Sequence, residues 1–131
     1  MISTEAQRLA QKFKESPDDP GANEAFGKYL FVVEDDFDSA LKHWEKAEDE
    51  LMVKIAKTET QIDQAARADA KKLVALGDLW RLLGKSNKSM FQRKALERAV
   101  DIYNRASFKL DQTDQADAED KKAAIKRLLR N

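Results

Sequence analysis

Apolar residues recur every three or four positions along almost the entire chain, and this spacing places them on one face of a helix. No stretch shows the sustained alternation of β-branched residues that a half-buried strand requires. The remaining positions are rich in Ala, Leu, Lys, Glu and Gln, which lose little on entering a helix. The sequence therefore predicts an all-α fold.

Caps and prolines set the boundaries of the first helices. Ser3 is the predicted N-cap of the first helix, and Pro17 ends it because the residue before a proline is pushed out of the α region. Asp19 caps the second helix, with Pro20 at its first position, where a missing N–H does no harm. Asp36 caps the third.

The middle of the chain contains longer predicted helices. Because no glycine or proline interrupts the apolar pattern, we expect one long third helix from Phe37 towards Ile55, either continuous or kinked near Glu48–Glu50. Thr60 is the predicted cap of the fourth helix. Gly84 suits its C-terminal end, in the left-handed conformation that glycine adopts easily.

Two further helices complete a predicted set of about six. The fifth covers about 89–110 and the sixth about 114–130, with acids first and bases last as the helix dipole favours. The first helix, about 3–16, and the sixth are expected to act as caps. The sixth is still amphipathic at the chain end, so we expect the natural protein to continue.

Two stretches of the chain repeat one pattern. ALKHWEKA at Ala40–Ala47 and AVDIYNRA at Ala99–Ala106 each place alanine, a large aromatic residue and alanine on one helix face. Gly27 and Gly77 lie on the preceding helices, where a small residue lets the next helix approach and its ring fill the space. Such hairpins bury their faces by stacking, so we expect two of them in a single domain. The predicted boundaries are 20–58 and 61–110.

This pattern resembles the tetratricopeptide repeat, in which a Leu-Gly pair and a tyrosine precede a second helix carrying alanine, an aromatic residue and alanine. The matching residues are Phe26, Gly27, Leu30, Ala40, Trp44 and Ala47, then Leu76, Gly77, Trp80, Ala99, Tyr103 and Ala106. The first turn has an extra residue, the second hairpin has about ten more, roughly one and a half turns per helix, and the closing prolines are absent. The resemblance implies antiparallel hairpins in a right-handed α–α superhelix.

A longer match covers most of the chain. SPDDPGANEAFGKYLFVVEDDFDSALKHWEKA, then ALGDLW, then RKALERAVDIYNRA, is similar to a tetratricopeptide-like segment of bacterial multidomain proteins that often carry export signals. This resemblance implies a module that connects or presents neighbouring domains, and it carries over no catalytic residue. The start, MISTEAQRLAQ, lacks the pattern of a signal peptide, so the compartment stays open.

Composition narrows the function classes. The 131 residues contain 24 Lys and Arg against 24 Asp and Glu, and this balance argues against a nucleic-acid partner, whose binding domains usually carry a basic excess. The absence of cysteine excludes a disulfide framework and thiol chemistry. No stretch of about 20 apolar residues exists, so we expect no membrane insertion.

Three features of the sequence partly resemble phosphate-binding, metal-binding or catalytic sites, but each lacks residues that such a site requires. GKS at Gly84–Ser86 lacks the first glycine of a P-loop, since Leu79 stands there, so we expect a helix-ending loop. EDDFD at 34–38 lacks the further donors and the glycine of a calcium loop, so we expect a helix cap with solvated acids. His43 is the sole histidine and is expected at the surface or its boundary. We therefore expect no enzyme, no metal and no cofactor.

Aromatic residues could form either a core or a surface on which a ligand stacks. Their helical spacing favours the core. The residues concerned are Tyr29, Trp44, Trp80, Phe91 and Tyr103.

The leading functional hypothesis is a non-catalytic protein–protein interaction or scaffolding module, binding a protein or peptide at about micromolar affinity at best. The resemblance places the groove on the first helices of the hairpins. Its predicted residues are Glu24, Lys28, Phe31, Val32, Lys71, Val74, Asp78 and Arg81. Alternatively, the terminal helices or the long third helix fill this face.

A second hypothesis rests on the segment from Arg81 to Lys109. Its basic residues outnumber its two acidic residues, Glu97 and Asp101. They form either ordinary solvated helix faces or a patch that binds a polyanion or nucleic acid. The predicted basic face consists of Lys85, Lys88, Arg93, Lys94 and Arg98.

Overall fold

The computed structural model describes residues 4–64, 69–86 and 89–130, and across these residues the chain forms seven helices and no strand. The helices are α1 Thr4–Glu15, α2 Pro20–Val32, α3 Phe37–Trp44, α4 Glu50–Gln64, α5 Ala70–Lys85, α6 Ser89–Ser107 and α7 Gln112–Arg130. The all-α prediction is confirmed, and the count is close to the predicted six. The tetratricopeptide-like superhelical arrangement stays a prediction.

The chain divides into two compact units, Met1–Lys57 and Thr58–Asn131. In the first unit, α1 packs on α2 and α2 packs on α3. In the second, α5 packs on α6 and α6 packs on α7.

The predicted caps of α2 and α3 are confirmed. The Ala22 N–H donates to the Asp19 carboxylate at 2.7 Å, and Pro20 is the first residue of α2. The Ser39 N–H donates to the Asp36 carboxylate at 3.3 Å. Each acid thereby satisfies one of the amides that the first turn of a helix leaves unpaired. The predicted cap at Ser3 lies outside the described residues.

The prediction of one long third helix is wrong. α3 ends at Trp44, and α4 begins at Glu50 after a short turn. The Asp49 carboxylate accepts from the Leu51 N–H at 2.8 Å, so it caps a new helix, and the Asp49 N–H donates to Glu24 of α2 at 2.8 Å. The side chain of an acid thus starts a helix without help from glycine or proline.

The predicted ends of the fourth helix are also wrong. Thr60 lies inside α4, and the helix that follows is capped by Asp69, whose carboxylate accepts from the Lys71 N–H at 2.9 Å. Gly84 is helical within α5 and has no positive φ. A Cβ on Gly84 would come within 2.6 Å of Leu96 Cδ2, so this glycine allows α6 to approach closely.

The predicted seating of a ring on a glycine is confirmed in each unit. A Cβ on Gly27 would lie 2.5 Å from Nε1 of Trp44, and one on Gly77 would lie 2.6 Å from Cε1 of Tyr103. Real Cβ atoms do not come this close to other atoms, so only glycine fits at these two contacts. The repeated sequence pattern therefore encodes the same contact twice.

The predicted aromatic core is confirmed at four of its five positions. Trp44, Trp80 and Tyr103 are fully buried, and Phe91 is 9% exposed. Tyr29 is the exception, because it is only half-buried.

Candidate functional site

The α2 part of the predicted groove forms contacts within the first unit. Glu24 accepts from the Asp49 N–H at 2.8 Å and forms an ion pair with Lys28 at 4.0 Å. Val32 is half-buried. Glu24 therefore helps to hold α2 against the turn before α4, whereas its ion pair with Lys28 lies within α2.

Phe31, the main apolar residue predicted for this part of the groove, is 6% exposed. Its ring lies 5.3 Å from the Trp44 ring and 6.3 Å from the Phe37 ring, measured between centroids. Phe31 therefore packs in the core of the α2–α3 hairpin and offers little surface to a partner.

A side chain of α7 contacts the α5 part of the predicted groove. Asp78 accepts from the Tyr103 hydroxyl at 2.5 Å and from Lys121 Nζ at 3.0 Å. Arg81 lies 3.9 Å from the same carboxylate. Burial raises the pKa of Tyr103 far above its ordinary value, and the hydrogen bond to Asp78 adds to the shift. This cluster ties α5, α6 and α7 together.

Lys71 and Val74 line a cavity of about 210 Å³ whose other walls come from the α6–α7 turn and α7, at Leu110, Asp114 and Asp117. The two predicted halves of the groove belong to different units. A joint groove therefore stays a prediction.

Two arginines of the predicted basic face lie beside carboxylates. Arg98 donates to both oxygens of Glu59, at 2.8 and 3.1 Å, and Glu59 is only 7% exposed. Arg93 lies 3.6 Å from Glu97 and donates to the Leu129 carbonyl at 3.2 Å. An arginine held by an acid attracts phosphate less than an unpaired one.

The other members of this face differ in exposure. Lys85 is exposed and Lys94 is half-buried, whereas Lys88 lies outside the described residues.

A cleft that the sequence pattern did not predict lies in the first unit, between α1 and the C-terminal part of α2. Its volume is about 300 Å³. We call it the α1–α2 cleft, and its lining consists of Ala6, Ala10, Phe26, Tyr29, Leu30, Glu34 and Asp36.

The cleft exists because small side chains of α1 face large ones of α2. Ala6 and Ala10 cannot cover Phe26, Tyr29 and Leu30, so these three remain half-buried. Their spacing predicts core positions. The signal that could have indicated a cleft is this mismatch of side-chain size between two facing apolar stripes.

The end of α2 brings carboxylates to the rim of the cleft. The Asp36 N–H donates back to the Leu30 carbonyl at 2.9 Å. Asp35 permits this turn by adopting a φ of 53°, a left-handed conformation that Asp tolerates better than most residues. The Tyr29 hydroxyl donates to Glu34 at 2.6 Å, which fixes the ring at the rim.

An aromatic cluster supports the cleft from inside the unit. The Phe26 ring is stacked on Tyr29, with centroids 6.5 Å apart and planes within 10°. The His43 ring lies 4.9 Å from Phe26 and 4.7 Å from Phe13. Burial lowers the pKa of His43, and the nearby charge of Lys46 adds to the shift, so the neutral form of the ring predominates at pH 7.

Asn23 fixes the orientation of His43. Its Nδ2 donates to the carbonyls of Pro17 and Asp19, each at 2.9 Å, so its Oδ1 faces His43. That oxygen lies 3.0 Å from His43 Nδ1, which therefore carries the hydrogen. His43 thus acts as a packing residue at the boundary of the core, where the sequence places it.

Within the described ranges, no three His, Cys, Asp or Glu side chains converge as metal ligands. Across the same part of the chain, no helix is both long and apolar enough to cross a bilayer.

Comparison with known proteins gives no match to a family model, a curated protein or a solved structure. The resemblance to tetratricopeptide repeats therefore rests on the residues that carry it, and functional inference rests on the geometry above.

Proposed function

We propose that this chain is a non-catalytic protein–protein interaction or scaffolding module within a larger bacterial protein. The observation that carries the proposal is the α1–α2 cleft, where half-buried aromatic rings lie beside carboxylates. Aromatic residues in a concave patch with a polar rim are typical of protein recognition sites.

The size of the cleft favours a side chain over a whole small-molecule substrate. Ligand pockets range from about 300 to 1,000 Å³, and this cleft lies at the lower end of that range. Its carboxylates, Glu34 and Asp36, are exposed, whereas burial is the usual means of tuning a catalytic carboxylate. A site of this kind is suited to binding a projecting group of another protein.

The alternative, a polyanion-binding domain, has weaker support. Arg93 and Arg98 each lie beside a carboxylate of the same unit. A patch that binds phosphates needs bases whose charges are not already compensated. The interaction proposal does not depend on these residues.

Cross-linking of the tagged full chain in bacterial extracts, with captured proteins quantified by mass spectrometry, tests the proposal. Ala10→Leu should fill the cleft, and Ala123→Leu adds the same bulk at an exposed alanine of α7. We expect wild type and Ala123→Leu to retain a common protein that Ala10→Leu loses. The purified protein should then bind wild type directly. Equal capture by all three chains would contradict the proposal.

The predicted groove has a separate test in the Lys28→Glu, Arg81→Glu double variant. If the groove contributes, this variant loses a partner that Ala10→Leu retains. Retention of every partner would remove the groove from the account and leave the cleft.

A further inference from the structure

We propose that the α1–α2 cleft receives an arginine side chain projecting from the partner protein. The inference rests on the proposed function and names the chemistry of its partner. Charge, aromatic stacking and the apolar lining of the cleft each support it.

Charge favours a cation. Both ionisable carboxylic acids of the lining, Glu34 and Asp36, lie on the rim, and the lining contains no Lys or Arg. Each carboxylate already accepts one hydrogen bond, Glu34 from Tyr29 and Asp36 from the Ser39 N–H. Since a carboxylate offers about four acceptor positions, both can bind a further donor.

The aromatic wall favours a planar cation. Phe26 and Tyr29 present near-parallel rings. A guanidinium group stacks on such rings and is attracted by their electron-rich faces. The bond from the Tyr29 hydroxyl to Glu34 holds ring and carboxylate together, so that one guanidinium group can contact both.

The apolar part of the lining favours a long aliphatic stem. Ala6 and Ala10 form an apolar wall opposite Leu30. The methylene groups of arginine can cover apolar surface while the charged end stays at a polar rim. Lysine has a similar stem, but its compact ammonium group neither stacks nor bonds two oxygens in one plane.

An NMR titration of the full chain with single capped amino acids tests this inference. The probes are the Nα-acetyl amides of arginine, lysine and citrulline, the last being a neutral analogue of arginine with the same shape. We expect arginine to shift the amides of residues 26–36 and the Tyr29 ring saturably, in the millimolar range that a single side chain reaches. Citrulline should bind about tenfold more weakly, because it lacks the charge that strengthens hydrogen bonds to carboxylates.

Variants define the contacts. Glu34→Gln keeps an acceptor for Tyr29 but removes the charge, and we expect a several-fold loss of arginine affinity. Asp38→Asn removes the same charge from the same segment outside the lining, and affinity should change little. Ala10→Leu should abolish the shifts. Circular dichroism must show that each variant retains its helices.

Equal binding of lysine or citrulline, equal effects of Glu34→Gln and Asp38→Asn, or the absence of saturable shifts would each overturn the arginine inference. If the cross-linked partner is still lost in Ala10→Leu while arginine does not bind, the proposed function stands and only this inference falls.

Discussion

At the residue scale, the hairpins depend on a ring seated on a glycine. Trp44 and Tyr103 occupy spaces that Gly27 and Gly77 leave open, and both rings are fully buried. This contact could be predicted from the sequence, because small and large residues recur at fixed positions on neighbouring helices. The mismatch of side-chain size between α1 and α2 can indicate a cleft, but its open space depends on how far apart the two helices lie, which the sequence alone does not determine.

Removing one of these rings should lower the stability of the protein more than most single substitutions do. We expect Trp44→Ala to lower the free energy of unfolding by about 3–5 kcal/mol, as truncation of a buried aromatic residue does. Val33→Ala, at a side chain that is 62% exposed, is the control and should change it by less than about 0.5 kcal/mol. Urea denaturation measures both. A Trp44→Ala midpoint close to that of wild type would contradict the assignment of this ring to the core.

His43 makes stability depend on pH. Its pKa in the folded chain is below the ordinary 6.5, so the unfolded chain binds more protons as the pH falls. The stabilisation is fully present above pH 6.5 and is lost as the pH falls through the lowered pKa of the folded state. We expect wild type to lose more stability than His43→Gln between pH 7 and pH 5.5, measured by urea denaturation. Parallel pH profiles for the two chains would show that His43 is not buried as described.

At the element scale, the sequence predicts helices better than it predicts their ends. Caps at Asp19 and Asp36 follow directly from residue type and neighbouring proline or apolar positions. The break before α4 does not follow from the sequence in this way. The apolar pattern continues through Asp49 without a glycine or proline, and only the structure shows that Asp49 caps a new helix there. Gly84 suggests a helix end that the structure does not have. This glycine allows α6 to pack closely against α5 and does not terminate the helix.

The capping function of Asp49 can be measured. Asp49→Ala removes the acceptor for the Leu51 and Met52 N–H groups but keeps the Asp49 N–H that donates to Glu24. We expect a loss of about 0.5–2 kcal/mol in the free energy of unfolding, as for other N-caps. Glu45→Ala, also in the turn and exposed, is the matched control. An equal effect of the two substitutions would mean that α4 does not need this cap.

At the scale of the whole molecule, 24 basic residues balance 24 acidic ones, and several of these charges form ion pairs. Arg98 with Glu59 and Lys121 with Asp78 are examples from the second unit. In the first unit, by contrast, the rim of the α1–α2 cleft is acidic. This acidic rim is therefore the proposed recognition surface.

Hydrogen–deuterium exchange of the full chain, with and without the partner identified by cross-linking, tests this placement most directly. Binding slows exchange where a surface becomes covered and its local opening is suppressed. We predict added protection in α1, Thr4–Glu15, and in residues 26–36, with little change in residues 89–98. Protection confined to residues 89–98 or to α5 would contradict the central claim and place the binding surface on the basic face or the predicted groove.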